Sequence, residues 1–206
     1  MTALGLDKAA AVASLSPAAR RAHQAVLSAF ATTGQAPSGR LLRRLVPAGT
    51  RAELAEADVL AFDDRGELRA AYPFSPRATA ITVTWADGPT VFAMCAIDAL
   101  GTSAMLGQHV VITASEPGSD EMVIVDVNLG QARWIPDTAV VLACSMQDAC
   151  CPSVDRTCGY INFFTSTRAA RDWASRHPHL RAVVLDQSAA LTAGIAEFAG
   201  HLEGGP

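Results

Sequence analysis

Lysine is almost missing from this chain: Lys8 is the only one in 206 residues, and arginine supplies the other 15 of its 16 basic side chains. That imbalance reads as compositional bias and points to no function. Aromatic residues are few, at 6%. No apolar run reaches the roughly 18 residues that a membrane-spanning helix needs, which argues against a membrane protein. The first residues, Met1-Thr-Ala-Leu-Gly-Leu-Asp-Lys8, lack a charged segment followed by an unbroken apolar one, so no secretory signal is read there and a cytoplasmic protein is expected. Paired Cys-x-x-Cys spacing, the usual mark of structural zinc, is absent as well. Residues 1–90 carry ten basic and eight acidic groups and residues 91–206 six and twelve, so neither half has the excess of positive charge that phosphate binding requires.

What is present is a hydrophobic half, 50% of the residues, ample for a core. Residues 1–15 are Ala-rich and read as a frayed helix or a disordered tail. Ser16-Pro17 opens a helix to about Thr32, with Ala22, Val26, Leu27 and Phe30 inward. A second helix runs from near Ser38 to Pro47. A third, Thr50 to Val59, has Thr50 and Glu53 at capping-box spacing. The period then changes, and Val59 to Tyr72 reads as a hairpin turning at Asp63 to Gly66. Three helices and a hairpin suggest a winged-helix-like N-terminal domain, 1–75, ahead of a mixed domain, 76–206, in an α+β protein. The third helix is acidic, which argues against nucleic acid as a partner and for an architectural role.

In the second half, Ala80–Trp85, Val110–Ala114 and Met122–Val127 alternate as half-buried strands, and Arg133–Ile135 and Ala139–Ala143 are read as extending the same sheet. Helices are expected over Ser166–His177 and Ser188–Leu202, with a strand at Ala182–Leu185 between them. The five histidines are scattered and read as surface or helix-end groups. Trp173 reads as core.

Five cysteines between Cys95 and Cys158 carry the chemistry. In a reducing compartment they suit catalysis or metal binding better than a disulfide framework. Cys95 and Asp98 stand three residues apart at the head of a helix and so share a face. Free cysteine is often simply buried, but an aspartate on an otherwise apolar helix is costly unless paired or functional. The helix start is expected to lower the Cys95 pKa. Cys158 lies at the edge of the apolar run Ile161-Asn-Phe-Phe164, and two thiols converging on a carboxyl group would make a soft-metal site with its own acid. Asp155 and Arg156 read as part of a solvated loop, with ordering of that loop or steering of a charged substrate as the alternatives.

Together, Phe92-Ala-Met-Cys95-Ala-Ile-Asp98-Ala-Leu100, Ala104-Met-Leu-Gly107, Cys158 ahead of Asn162-Phe-Phe164, and Arg171-Asp-Trp173 resemble the organomercurial (alkylmercury) lyase family. The resemblance covers most of the second half and, more loosely, the helical N-terminal part. It implies that Cys95, Cys158 and Asp98 hold and protonate an organomercurial, releasing a hydrocarbon and leaving thiolate-bound Hg(II). No cofactor is required, and small thiols or a downstream mercury acceptor would be the partners. Burial under Phe163 and Phe164 would keep Asp98 protonatable. Well-studied members of the family carry a further cysteine where this chain has Glu116. That departure, with Cys144, Cys150 and Cys151, leaves open a relay of Hg(II) through accessory ligands (Cys150, Cys151, Glu116), another soft or transition metal, another carbon–heteroatom bond, or a metal-sensing protein without turnover.

Overall fold

The computed structural model describes residues 7–85, 88–146 and 153–202. Cys150 and Cys151 lie outside the described residues. Four helices lead the chain: α1 (Lys8–Ser14), α2 (Pro17–Thr33), α3 (Gly39–Leu45) and α4 (Ala48–Glu56). The Ser16 hydroxyl accepts from the Ala19 amide and Pro17 occupies the first turn of α2, where its missing N–H costs nothing. Ala19, Ala22, Val26, Leu27 and Phe30 recur at helical spacing and are all buried. Phe30 meets Phe74 with ring centroids 5.4 Å apart, so α2 packs directly on the sheet.

Two expectations for this region are corrected. The α4 helix begins at Ala48 after Pro47 and has no side-chain cap. Glu53 instead reaches back to α2, accepting from the Ser16 amide at 2.5 Å and the Ser16 hydroxyl at 2.8 Å. The capping spacing from Thr50 was a coincidence of composition, because a carboxylate takes the nearest unpaired donors whichever helix they belong to. The α1 helix is also anchored, since Lys8 is buried and its amide donates to Glu197 Oε2 at 2.6 Å.

Eight antiparallel strands follow in spatial order β1-β2-β3-β5-β4-β6-β7-β8. They are β1 (Leu60–Phe62), β2 (Leu68–Ala71), β3 (Phe74–Ser75), β4 (Ile81–Trp85), β5 (Thr90–Ala93), β6 (Val110–Ser115), β7 (Met122–Asn128) and β8 (Gln131–Ile135). The β1–β2 hairpin turns at Asp63 to Gly66, as expected, with the Asp63 carboxylate accepting from the Arg65 and Glu67 amides. Pairing of β3 with β5 carries the hairpin into the sheet without a break. Alternation puts Ile81, Val83, Val110, Ile112, Val123 and Val125 on the buried face.

The strand β9 (Val140–Met146) does not extend this sheet. It is the centre of a second, three-stranded one, between β10 (Asn162–Phe164) and β11 (Leu180–Leu185). Its two faces serve two cores: Val141 and Ala143 join the main cluster, while Val140, Leu142 and Cys144 pack with Phe164, Ala170 and Leu180. A strand buried on both sides reads as a plain apolar run and carries no mark of its neighbours.

Helix α5 (Ala96–Leu106) lies against β4 and β6 and crosses α8 (Gln187–Phe198). The crossing is backbone to backbone. A Cβ on Gly194 would sit 2.7 Å from the Gly101 nitrogen and 2.8 Å from the Ile97 oxygen, atoms that cannot swing aside. Gly194→Val is therefore expected to lose about 3 kcal/mol, the upper end for overpacking, read as a lower denaturant midpoint at unchanged slope. Helix α7 (Thr167–Ser175), capped by Ser166, completes the fold between β10 and β11.

Candidate active site

The N-cap of α5 is Cys95 itself, in extended backbone at the end of β5. Its sulfur accepts from the Asp98 amide at 3.5 Å. The sulfur thus caps the helix, a thiol standing for the usual hydroxyl. Cys158 opens a short 3-10 turn, Cys158–Tyr160, just before β10. The Ala96 amide donates to the Ile161 carbonyl at 3.0 Å, which locks the start of α5 to the segment carrying Cys158. Cys158 lies close enough to Cys95 to act on the ionisation of its thiol. Cys95, Asp98 and Cys158 are 1%, 4% and 6% exposed.

Burial sets the protonation states. It raises the Asp98 pKa from 3.8 to about 7, against the lowering effects of the Cys95 thiol and the Lys8 charge. Asp98 Oδ2 has no hydrogen-bond partner among the described residues. The expectation of a reactive thiolate at the helix start is reversed. The Cys95 pKa is pushed well above its ordinary value by burial first, then by its contacts with Cys158 and the negative charge of Asp98. A helix N-terminus offers only about half a unit charge and cannot offset removal of a thiolate from water. At rest Cys95 is a neutral thiol whose proton leaves when something replaces it.

Phe163 and Phe164 do not form one wall. Phe163 meets Trp134 edge to face at 5.7 Å, and Phe164 meets Trp173 at 5.9 Å, on opposite sides of β10. Glu116 does not join the trio. Its Oε2 accepts from the Thr165 amide and hydroxyl, both at 2.7 Å, and its Oε1 from Ser119 at 3.2 Å, so it clamps the β6–β7 turn to the end of β10. Cys144 packs as a small hydrophobe in the second core, and burial raises its pKa to about 11. Among the described residues no set of three or more His, Cys, Asp or Glu is arranged to enclose a metal ion. The groups brought together are thus two thiols and a carboxyl group.

Sequence reasoning missed the groups around Cys158. The lone lysine lies in the wall of a cavity of about 430 Å³ together with Asp58 and Ser153. Lys8 Nζ donates to Asp58 Oδ2 at 2.7 Å and to Ser153 Oγ at 3.3 Å. Ser153 also hydrogen bonds to Asp58 through its amide and hydroxyl, and it starts α6 (Ser153–Arg156), the turn that leads into Cys158. Arg69 of β2 grips Asp155 with two nitrogens and holds the same turn from outside, so Asp155 is a tie and not part of a merely solvated loop. Tyr72 completes the ring of contacts, with the Lys8 ammonium 3.9 Å above its ring centroid. No local pattern announces these residues, and a single lysine in an Ala-rich stretch was the only oddity available.

Two buried thiols and one buried carboxyl group, carried by a mixed α+β fold, have the chemistry to hold a soft metal and to move a proton. Residues 74–199 match the family model of alkylmercury lyases, and the chain belongs to that family. It is 28% identical over 92 residues to the alkylmercury lyase of Staphylococcus epidermidis, covering 45% of this chain and 43% of that one. To the alkylmercury lyase of Bacillus cereus it is 34% identical over 95 residues, 45% of this chain and 42% of the relative. The matches thus span less than half the length of these curated relatives. The mercury-bound form of MerB2 has the same fold, with a TM-score of 0.74 and 24% identity over 98% of this chain and 100% of that one.

Proposed function

We propose that the protein cleaves carbon–mercury bonds by protonolysis. The observation that carries this reading is the burial of Cys95, Asp98 and Cys158 together, with the Asp98 amide donating to the Cys95 sulfur and the start of α5 locked to the segment that carries Cys158. The R–Hg group, delivered on a small thiolate, exchanges with the Cys95 proton: a sulfur–mercury bond forms to Cys95, the bond to the carrier thiolate breaks, and the proton leaves on the released small thiol. The Asp98 carboxylate takes the proton of Cys158, whose thiolate adds to mercury and weakens the bond to carbon. The electron pair of the carbon–mercury bond then takes the proton from Asp98, releasing R–H and leaving Hg(II) on two thiolates with Asp98 ionised again. Burial keeps water from competing for mercury and keeps the carboxyl group near neutrality, so it can both accept and give a proton at pH 7.

The substrate is a small organomercurial, and free small thiols or a mercury acceptor would remove the product. Cys95, Cys144 and Cys158 are unpaired, which suits a reducing, cytoplasmic setting. No helix among the described residues is long and apolar enough to cross a membrane. The α2–α4 helices with the β1–β2 hairpin are winged-helix-like support for the sheet. The engagement of Glu53 with Ser16 further argues against α4 as a reader of nucleic acid. The structural duty of Glu116 removes the motive for a different carbon–heteroatom substrate.

The test is release of benzene from phenylmercuric acetate in excess small thiol. The parent is expected to turn over, while Cys95→Ser and Cys158→Ser are expected to release none above background. A parent that binds mercury and releases no benzene overturns the proposal.

A further inference from the structure

Cys158 lies inside a turn whose two ends are tied down separately. The Thr157 amide donates to the Ser153 carbonyl at 2.9 Å and the Tyr160 amide to the Thr157 carbonyl at 2.8 Å, so a displacement of Ser153 is carried along the turn to Cys158. At the far end the Ile161 carbonyl takes the amide of Ala96, the neighbour of Cys95, at 3.0 Å. At the near end both donors of Ser153 go to Asp58: its amide reaches Oδ2 at 3.1 Å, and its hydroxyl binds the same oxygen.

Asp58 stands where glycine is usual. It ends α4 in left-handed backbone, with φ at 52°, and the Val59 amide closes the stop on the Leu54 carbonyl at 3.2 Å. Most side chains pay for that conformation, and an aspartate there keeps some of the strain in exchange for what its carboxylate holds. Lys8 Nζ donates to that carboxylate at 2.7 Å and to the Asp58 carbonyl at 2.5 Å, so side chain and main chain converge on one ammonium. Lys8 is itself fixed, by its amide on Glu197 of α8 and by the Tyr72 ring under its ammonium. The pair is largely buried, with side chains 8% and 23% exposed, and a buried ion pair seldom stabilises a fold more than apolar packing would. What it adds is direction. The Arg69–Asp155 tie on the outer side of the turn is about one-third exposed and weakened by water, which leaves Asp58 as the firmer hold.

We propose that Asp58, held by Lys8, is a positioning residue of the active site: it fixes the Ser153–Tyr160 turn against the start of α5 and so sets the spacing of Cys158 from Cys95. Its effect on turnover rests on the lyase reading, and its effect on Hg(II) rests only on a grip by two sulfurs. A metal held by both sulfurs depends on their spacing, because the second sulfur acts at an effective concentration that the turn sets. A metal held by Cys95 alone does not.

The experiment compares the parent with Asp58→Asn, since asparagine tolerates the left-handed backbone and removes the charge that holds Lys8 and Ser153. Three quantities are measured: the thermal midpoint, the partition of inorganic Hg(II) between protein and a competing dithiol, and the rate of benzene release in a single turnover of phenylmercuric acetate. A fourth, the partition of phenylmercury against a small monothiol, is taken with and without Asp58→Asn in an Asp98→Asn background, where the carbon–mercury bond survives. Hg(II) affinity and release rate are each expected to fall by about 10- to 100-fold, the loss that follows a misplacement of about 1 Å, with the phenylmercury partition unchanged. A lower midpoint with unchanged Hg(II) affinity and rate is the mark of a merely structural ion pair and overturns the proposal. An equal loss for Hg(II) and phenylmercury overturns it too, because the damage would then not lie in the spacing. Ser153→Ala leaves the ion pair whole and serves if Asp58→Asn fails to fold: a loss of about 10-fold in Hg(II) affinity is expected, and none overturns the proposal. If the parent binds Hg(II) but releases no benzene, the lyase reading fails by itself, and the Hg(II) comparison still decides the role of Asp58.

Discussion

Asp98→Asn is expected to lower benzene release at least a thousandfold while making the folded protein more stable above pH 7. An amide of the same shape keeps the packing but can neither take the Cys158 proton nor give one to carbon, and losing a proton carrier of this kind typically costs 100- to 10,000-fold. The stability effect follows from the raised pKa. The folded carboxyl group holds its proton up to about pH 7 and the unfolded one only to about 3.8. The folded state therefore binds more protons between these values, and the protein loses stability as pH rises from about 4 to 7. Roughly three pK units at 1.36 kcal/mol each set an upper figure of about 4 kcal/mol at pH 8, which the asparagine variant regains. Urea midpoints of parent and variant at pH 5 and pH 8 check this. A variant no more stable than the parent at pH 8 would show that Asp98 is not strained by its burial. The same ionisation gives the parent an acid limb in kcat/KM near pH 7, because Asp98 must be ionised to accept a thiol proton.

A second large effect is expected on the acid side, from groups with no part in catalysis. His23 of α2 and His201, just beyond α8, were read as surface residues, yet they are 0% and 4% exposed with ring centroids 5.8 Å apart. Neither ring has a hydrogen-bond partner among the described residues. Burial, the neighbouring His201 and the Lys8 charge lower the His23 pKa from 6.5 to about 3, and burial lowers that of His201 to about 4. The folded pKa values lie below the unfolded one, so the unfolded chain binds protons first and stability falls as pH drops below 6.5. At pH 5 each histidine accounts for about 2 kcal/mol of that loss. The return of the Asp98 proton opposes it over the same range, so the comparison must be with a variant. His23→Phe is expected to remove about half of the histidine contribution to the acid slope between pH 7 and 5, measured by urea unfolding at several pH values. An unchanged slope would contradict the neutral buried pair.

Signals confined to a few neighbours were legible in the residues alone. Ser16-Pro17, Ser38 and Ser166 start helices as read, Asp63 to Gly66 turns the hairpin, and the alternation of β4, β6 and β7 fixes which side chains face inward. Such marks survive because capping and alternation depend on residues two to four apart. Where the partner is distant, the reading failed. Glu53 went to Ser16, 37 residues away, instead of to its own helix. The apolar run at Ala139–Ala143 was a true strand placed in the wrong sheet, since burial on both faces erases the alternation that would have identified its neighbours.

The site divides in the same way. Cys95 and Asp98 stand together because three residues separate them at a helix start, and Cys158 was found through its motif. What the sequence marked out was a candidate set, two thiols and an acid, and the fold buries all three. Only the tertiary structure decided their state, because protonation depends on how completely water is excluded, which three dimensions set. It also decided who surrounds them. Lys8 reaches Ser153 across 145 residues and Asp58 across 50. Such contacts leave no period or spacing behind, since they are made by the whole fold closing on itself.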